Sequence, residues 1–464
     1  MAASVDFDVI VIGGGAAGMA AAISAREAGA GVALLETRDR LGGSAELSGG
    51  HLYAAGTRYQ REAGIDDHPD RLFEYYRTVN RFQVEPALVR AFADRSAAAI
   101  DWAVDHGVKL LGLEHTDMTP VLRGHRVEGY GAGLADALRR ATAAAGVEVV
   151  FRTRVRELAL EDGRVVGLRV GGETFRAGGV VIACGGFARN RDLLAAHYPQ
   201  GLAGGDWTGS PAGEGSRGDA LDLAAQVGAD VLGEGRGLAT LRPRVTGIWY
   251  GGRFVLVNRH GRRFIDESAY TSVVSEAVRQ QGGRCFVIFD EDGRREHTGA
   301  YDATLPFRRD DLRLDWVGID QAAQRTAVIV RAETVAELGA GIGAAPRVLE
   351  RTLERYNTAC DAGGGDELFS PPDRLVPIRR APFYAVESRV ACVILTGYGM
   401  RIDTEAEVLT PAGDSVPGLY AAGEAVGNYY GEIYPASGSS ITAALVFGGV
   451  AGRNAAARAA VAAR

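Results

Sequence analysis

The chain has 464 residues, a formal net charge of -7, 64 glycines and four cysteines. Its length suits two or three domains with cores of their own, and its mild acidity gives no reason to expect nucleic acid or an anionic membrane as partner. Cys184, Cys285, Cys360 and Cys392 form no C-x-x-C pair, so the spacing signals for zinc, iron–sulfur, haem attachment or a disulfide frame are missing. No apolar run reaches spanning length. The start of the chain, with Asp6 and Asp8 ahead of the first strand, does not read as a signal peptide, which points to the cytoplasm.

In chain order, Val9 to Ile12 is a run of β-formers that ends at Gly13-Gly14-Gly15, and Gly18 completes G-x-G-x-x-G. An alanine-rich helical stretch to Glu27 follows, then a second strand, Val32 to Leu35, closed by Glu36. Strand, glycine turn, helix, strand and acid is the order of a dinucleotide-binding unit. Gly13 permits the tight turn, Gly15 lets the backbone approach a pyrophosphate, and Gly18 lets the helix pack close. The helical stretch is read from Met19; Ala16 and Ala17 before it are further cofactor-binding candidates. The helix N-terminus offers unpaired N–H groups to the phosphates, and Glu36 is placed to accept from a ribose hydroxyl. Two glycine pairs come next, Gly42-Gly43 before Ser44 and Gly49-Gly50. They predict backbone lying against the rest of the cofactor.

Residues 67–108 predict helices, with apolar positions at Leu72, Tyr75, Tyr76, Val79, Leu88, Phe92 and Ile100. The scattered histidines His51, His68, His106, His115 and His125 read as surface or structural groups. A glycine turn, a helix and two strands follow, then a strand over Arg164–Val170. Val180 to Phe187 is a buried strand ending in Gly185-Gly186, the sort of strand end that meets a ligand in a parallel sheet. From about Arg236 to about Val393 the βα rhythm lapses, as expected of an inserted domain. Within it, Val255 to Glu267 predicts a strand, a turn at His260-Gly261, and a second strand carrying Arg263 and Glu267. The sheet resumes, with a strand leading to Gly423-Glu424. Tyr434-Pro435 and the run Ser437 to Ser440 precede a long helix whose N-terminus favours negative charge. A second strand–G-x-G-x-x-G–helix unit is absent, so one dinucleotide is expected and no separate nicotinamide domain.

Taken together, GGGAAG with Glu36, VVIACGGF, VNRHGRRFIDE and GLYAAGE followed by ITAALVFGGVAGR resemble the fumarate reductase/succinate dehydrogenase flavoprotein superfamily. That superfamily also holds 3-ketosteroid dehydrogenases, urocanate reductases and tricarballylate dehydrogenase. The resemblance implies an α/β protein: a Rossmann-like, two-segment FAD-binding domain (1–235 and 393–464) with an inserted α+β capping domain (236–392). It implies FAD as cofactor. Gly13, Gly15, Gly18 and Glu36 would hold the adenosine diphosphate half, with Val155 at adenine. The loop from Gly42 to Gly50, Gly185 and Gly186 would line the cofactor, and Gly423, Glu424, Ser440 and Ile441 would lie by the ribityl chain and pyrimidine edge.

Departures from the family pattern direct the functional reading. Ser44 is nearest the place where covalently flavinylated members carry a histidine, so non-covalent FAD is expected. Thr271 stands where fumarate reductases carry an arginine proton donor. Ile394-Leu395 and Tyr434-Pro435 stand where they grip substrate carboxylates. Gly431, Tyr434, Pro435 and Gly438 match the G-x-x-YP-x-x-G pattern of the 3-ketosteroid dehydrogenases, and Tyr270 matches, with a one-residue offset, the tyrosine that follows the glutamate motif there. The resemblance thus implies α,β-dehydrogenation of an uncharged cyclic ketone to an enone, or the reverse, with hydride passing to the flavin. Tyr434 and the Gly438 N–H would donate to the carbonyl oxygen, and Tyr270 would take the α proton. Tyr398, Ser437 and Arg263 are the candidate substrate contacts, with Trp249 and Tyr250 as a weaker apolar lid. The alternatives are a dicarboxylate or tricarboxylate substrate held by Arg242, Arg244 or Arg389, a flavin reductase or ene-reductase, and a flavin-binding sensor without catalysis. The electron acceptor has no signature in the chain.

Overall fold

The computed structural model describes residues 5–243, 254–267, 269–299, 319–325, 327–363 and 376–462. Two compact units make up the chain: Met1–Pro199, Ser210–Leu238 and Val393–Arg464 form the first, Gln200–Gly209 and Ala239–Cys392 the second. Residues 200–209, placed with the first segment by sequence, cluster with the second unit because Gly209 bridges Cys392 and Gly204 packs on Ala391. Arg244, Trp249 and Tyr250 lie outside the described residues, as does the side chain of Arg242.

The first unit is organised on a sheet with strands in the order Glu407–Leu409, Ser415–Ala421, Glu173–Ile182, Phe7–Ile12, Val32–Leu35 and Glu148–Val150. Every pairing along this path is parallel except the first. Val9, Ile10, Val11 and Ile12 are all buried. Their unbroken apolar run, in place of an alternating one, is what a strand covered on both faces requires. In register, Ile12 sits opposite Leu35 on one side and Ile182 on the other, and Ala421 opposite Ile182. The carboxyl ends of four strands are therefore level. The segments just beyond them, Gly13–Gly15, Glu36, Ala183–Gly186 and Ala422–Glu424, gather along one edge.

The helix Ala16–Glu27 and the last helix, Ser439–Ala462, cover the sheet and cross closely. A Cβ on Gly448 would fall 2.4 Å from the Ala17 carbonyl oxygen, and one on Gly452 would fall 2.1 Å from that of Ala21. These two glycines sit one turn apart on a single face, so both are needed for the backbones to approach. Helices Pro69–Val79 and Pro86–Asp105 begin with proline at the first turn, where its missing N–H costs nothing. They bury Leu72, Tyr76, Leu88, Phe92 and Ile100, as their spacing predicts. Among the described residues no helix is long and apolar enough to cross a membrane.

The second unit is a mostly antiparallel sheet in the order Gly237–Pro243, Phe383–Thr396, Arg284–Asp290 and Val255–Val257, with Ile329–Ala332 also on Phe383–Thr396. Val255, Val257, Phe286, Ile288, Leu349 and Leu353 belong to its core. The expected second strand after His260-Gly261 is reduced to a single bridge between Val257 and Arg263. Asn258 accounts for this: its side-chain oxygen accepts from the backbone of both His260 and Arg262, which curls the chain.

Candidate active site

At the phosphate end, Gly15 caps the helix Ala16–Glu27 with no side-chain bond, leaving the first-turn N–H groups without a side-chain cap. The Cβ position of Gly15 has nothing within 4 Å, while one on Gly18 would collide with the Gly13 carbonyl at 1.8 Å. Gly42 bridges Gly15, and its N–H donates to the Gly14 carbonyl at 2.8 Å. An uncapped helix terminus beside an open glycine surface is a cradle for a diphosphate, and it fits FAD. Ala16 and Ala17 are buried in that first turn.

Glu36 does more locally than the ribose contact expected of it. Its Oε2 accepts from Gly14 N at 2.8 Å, and its Oε1 accepts from Arg38 N and Thr37 Oγ1, each at 2.9 Å. The carboxylate braces the glycine turn and keeps one acceptor position on Oε2 for a hydroxyl. Thr153 N donates to the Glu36 carbonyl, laying the segment that leads to buried Val155 over this acid. Ser44 Oγ accepts from Gly213 N at 3.0 Å.

Two glycines have other reasons to be glycine. Gly50 has φ +64°, and a Cβ there would lie 2.2 Å from the Tyr130 carbonyl carbon. It serves backbone packing on the turn into the helix Tyr130–Ala144; Gly49 lies in the loop just before it. A Cβ on Gly186 would lie 2.5 Å from Glu424 Oε1 and 2.2 Å from Thr396 Oγ1, so Gly186 makes room for side chains. Gly185, at φ +80°, stays open, with Ser216 Oγ nearest at 3.7 Å.

At the opposite end of the edge, Gly423 turns the chain at φ +71° and Glu424 follows. Glu424 Oε1 accepts from Thr396 N at 2.7 Å and from Thr396 Oγ1 at 3.0 Å. Burial pushes this carboxyl up to about 7 against the pull of those two bonds. Thr396 was missed by sequence reasoning; its position after an apolar strand and before a glycine was the only signal.

The last helix begins beside these groups. Tyr434 Oη accepts from Ser440 N at 3.1 Å and lies 2.8 Å from Ser440 Oγ. The Ser439 hydroxyl is fully buried with no hydrogen-bond partner among the described residues. A buried orphan hydroxyl at a helix N-terminus is a second mark of a ligand-facing site. Ile441 is buried next to it. Gly438 has φ +94°, and a Cβ there would meet the His51 carbonyl oxygen at 2.6 Å, so only glycine turns the chain here. Ser437 N donates to the Thr116 carbonyl at 3.0 Å. Tyr398, set in the turn after Thr396, stacks on His197 at 4.3 Å and 17°.

In the second unit, Tyr270 is the half-buried cap residue of the helix Thr271–Gln280. Arg263 is committed to Glu267: its Nε donates to Oε1 at 2.9 Å and its Nη2 to Oε2 at 2.6 Å, with both side chains buried. The expected candidate substrate contact Arg263 is thus one half of a buried ion pair. Arg389 donates to Glu387 at 2.8 Å and lies over the Trp207 ring at 4.2 Å, which likewise occupies it.

A glycine cradle and a second helix terminus, supplied by chain segments far apart in sequence and meeting on one sheet edge, define a two-segment FAD-binding flavoprotein. Residues 8–441 match the family described as FAD binding domain, and the chain belongs to that family. It is 31% identical over 466 residues to fumarate reductase (cytochrome) of Shewanella frigidimarina, covering 97% of this chain and 77% of that protein. It is 31% identical over 476 residues to urocanate reductase of Eggerthella lenta, covering 97% and 75%. Among solved structures it is similar to 3-ketosteroid-delta4-(5alpha)-dehydrogenase from Rhodococcus jostii RHA1, in complex with 4-androstene-3,17-dione, with a TM-score of 0.81, 28% identity and 98% of each chain covered. The protein is an FAD-dependent oxidoreductase of the fumarate reductase family, acting on CH–CH or C=C bonds.

Proposed function

We propose that the protein interconverts a ketone and its α,β-unsaturated counterpart, with the carbonyl oxygen held by the Tyr434 hydroxyl and the Gly438 N–H. The observation that carries this reading is the Tyr434–Ser440 contact. Ser440 N–H donates to the phenol oxygen at 3.1 Å and Ser440 Oγ lies 2.8 Å from it, so the hydroxyl is held at the N-terminus of the last helix. A ketone α C–H becomes acidic enough to remove only when its carbonyl is polarised. Preorganised donors at that oxygen contribute about 3–4 kcal/mol each. Tyr270 is assigned the α proton. Arg263, the cation expected to assist this phenol, is paired with Glu267. Bound FAD supplies the two-electron acceptor, held without a covalent bond because Ser44 replaces the attaching histidine. The substrate class draws support from the ketosteroid enzyme among the structural neighbours.

Arg236 favours a second reading. Its guanidinium donates to the Tyr430 carbonyl at 3.0 Å and has no acidic partner among the described residues. A substrate carboxylate would find a cation there, and fumarate reductase and urocanate reductase are among the relatives.

Both readings are tested anaerobically with reduced benzyl viologen, using cyclohex-2-enone and fumarate as probes. On the ketone reading, Tyr434→Phe keeps its FAD and loses about 100-fold or more of cyclohexenone turnover. Undiminished cyclohexenone turnover by Tyr434→Phe sinks that reading. Fumarate turnover that disappears in Arg236→Gln, with no turnover of cyclohexenone, establishes the second.

A further inference from the structure

We infer that Tyr75 and Asn80, at the end of the helix Pro69–Val79, are positioning residues that set the Tyr434 hydroxyl. The inference rests on Tyr434 as the carbonyl donor. The segment from Gly427 to Gly438 has no regular structure, yet nearly all of it is buried. Buried backbone outside helices and sheets must find its partners elsewhere. Here one helix supplies three of them. Asn80 Oδ1 accepts from Ile433 N at 2.9 Å, and Tyr75 Oη donates to the Pro435 carbonyl at 2.7 Å. These two bonds bracket Tyr434 on either side. Tyr76 Oη adds a third, to the Tyr429 carbonyl at 3.3 Å.

The helix end is built for this task. Phe82 N donates to the Arg77 carbonyl at 2.7 Å and Arg81 N to that of Thr78 at 3.0 Å, the two bonds of a Schellman closure around Asn80. Glycine is the usual residue after such a cap. Here Arg81 and Phe82 take φ 51° and 60° instead. Asn80 is 1% exposed, and its Nδ2 donates back to the Tyr76 carbonyl at 3.1 Å, which fixes the direction of its oxygen. Gly431 faces it; a Cβ there would lie 2.0 Å from Asn80 Oδ1. Tyr75 is fixed from the other side. Its hydroxyl accepts from Met118 N at 3.2 Å, so its proton is directed at Pro435, and burial keeps the phenol protonated. Nothing but Tyr434 lies between the two anchored residues, so loosening either anchor moves the phenol away from Ser440.

The test uses the FAD-loaded enzyme with cyclohex-2-enone. Tyr75→Phe and Asn80→Ala are expected to lower kcat 10-fold or more with less than 3-fold change in KM, at full FAD content. Asn80→Asp, which keeps the acceptor for Ile433 N, is expected to recover most of that loss. A double-mutant cycle separates positioning from general damage: in a Tyr434→Phe background the Tyr75→Phe loss should vanish. A crystal structure of Tyr75→Phe should show the Tyr434–Ser440 hydrogen bond broken. Wild-type kcat in Tyr75→Phe and Asn80→Ala, or the same loss with and without Tyr434, overturns the inference while leaving Tyr434 as donor. An active Tyr434→Phe instead removes the reading beneath it.

Discussion

Arg123 offers the sharpest test of how the first unit is held together. Its guanidinium is 2% exposed. Nε and Nη2 donate to the two oxygens of Asp67 at 2.8 and 2.9 Å, and Nη1 donates to Asp117 Oδ2 at 3.3 Å. Both acidic side chains are fully buried. Burial opposes the charge on Arg123, but the bonds to Asp67 and the surrounding negative groups outweigh it and keep the guanidinium charged. Tyr53 donates to Asp117 as well, and Thr119 N and Oγ1 bond its other oxygen. Arg123→Met preserves much of the volume and leaves two carboxylates without their cation. Removing one member of a buried pair costs about 3–5 kcal/mol, against a total stability of about 5–15 kcal/mol.

The pH dependence discriminates the cause. In the variant, a stranded carboxylate has a folded-state pKa above its unfolded value of about 3.9. The folded state then binds more protons than the unfolded state, so stability falls as pH rises through that window. The deficit relative to wild type should be full at pH 7.5 and smaller at pH 5. Urea unfolding of the FAD-loaded proteins at both values measures it, and Asp67→Asn added to Arg123→Met should recover part of the loss. A deficit under about 1 kcal/mol at pH 7.5, or one equal at the two pH values, refutes the reasoning.

Glu424→Gln should remove a pH-linked term. With the folded pKa raised from 4.5 to about 7, the carboxyl contributes its stability in full below about pH 4.5 and loses it as pH rises through 7. The swing is about 3 kcal/mol, so the variant should gain on wild type in melting temperature between pH 5 and pH 8; parallel profiles count against it. Arg81→Gly should raise the unfolding free energy measured in urea by up to about 1 kcal/mol, because glycine adopts the left-handed conformation without penalty. The exposed Arg81–Glu432 contact it sacrifices is worth little; a destabilised variant would show that the φ of 51° is not strained.

The sequence was most readable where one physical requirement acted on neighbouring residues. Val9 to Ile12 had to be apolar without alternation because both faces are covered, and Gly13, Gly15 and Gly18 had to lack side chains within one short turn. Reading was weaker where the same residue type answers different demands. Gly15 is open to a ligand, whereas Gly50 yields to Tyr130 and Gly186 to Glu424, and a glycine does not announce which. Arg263 and Glu267 looked equally suited to a site or a structural pair, and nothing near them in sequence foretold the two bonds between their side chains. Asn80 was invisible. Its partner Ile433 lies 353 residues away, and nothing near position 80 records that.

On the proposed role of Tyr434 as carbonyl donor, the terminal helix suits a charge that develops during reaction. A carboxylate present from the start could accept directly from the first-turn N–H groups of the Ser439–Ala462 helix. Here a phenol stands in between. Its oxygen takes the Ser440 N–H at 3.1 Å and lies 2.8 Å from Ser440 Oγ. Each bond accepted by the phenol polarises the one it donates. Towards a neutral carbonyl oxygen that donor is an ordinary hydrogen bond. As negative charge builds on the oxygen, the same bond becomes charge-assisted and roughly doubles in strength, backed by the helix terminus. On the proposed ketone chemistry the gain would fall on the enolate-like state and not on the resting ketone, which is the condition for an interaction to speed a reaction instead of only tightening binding.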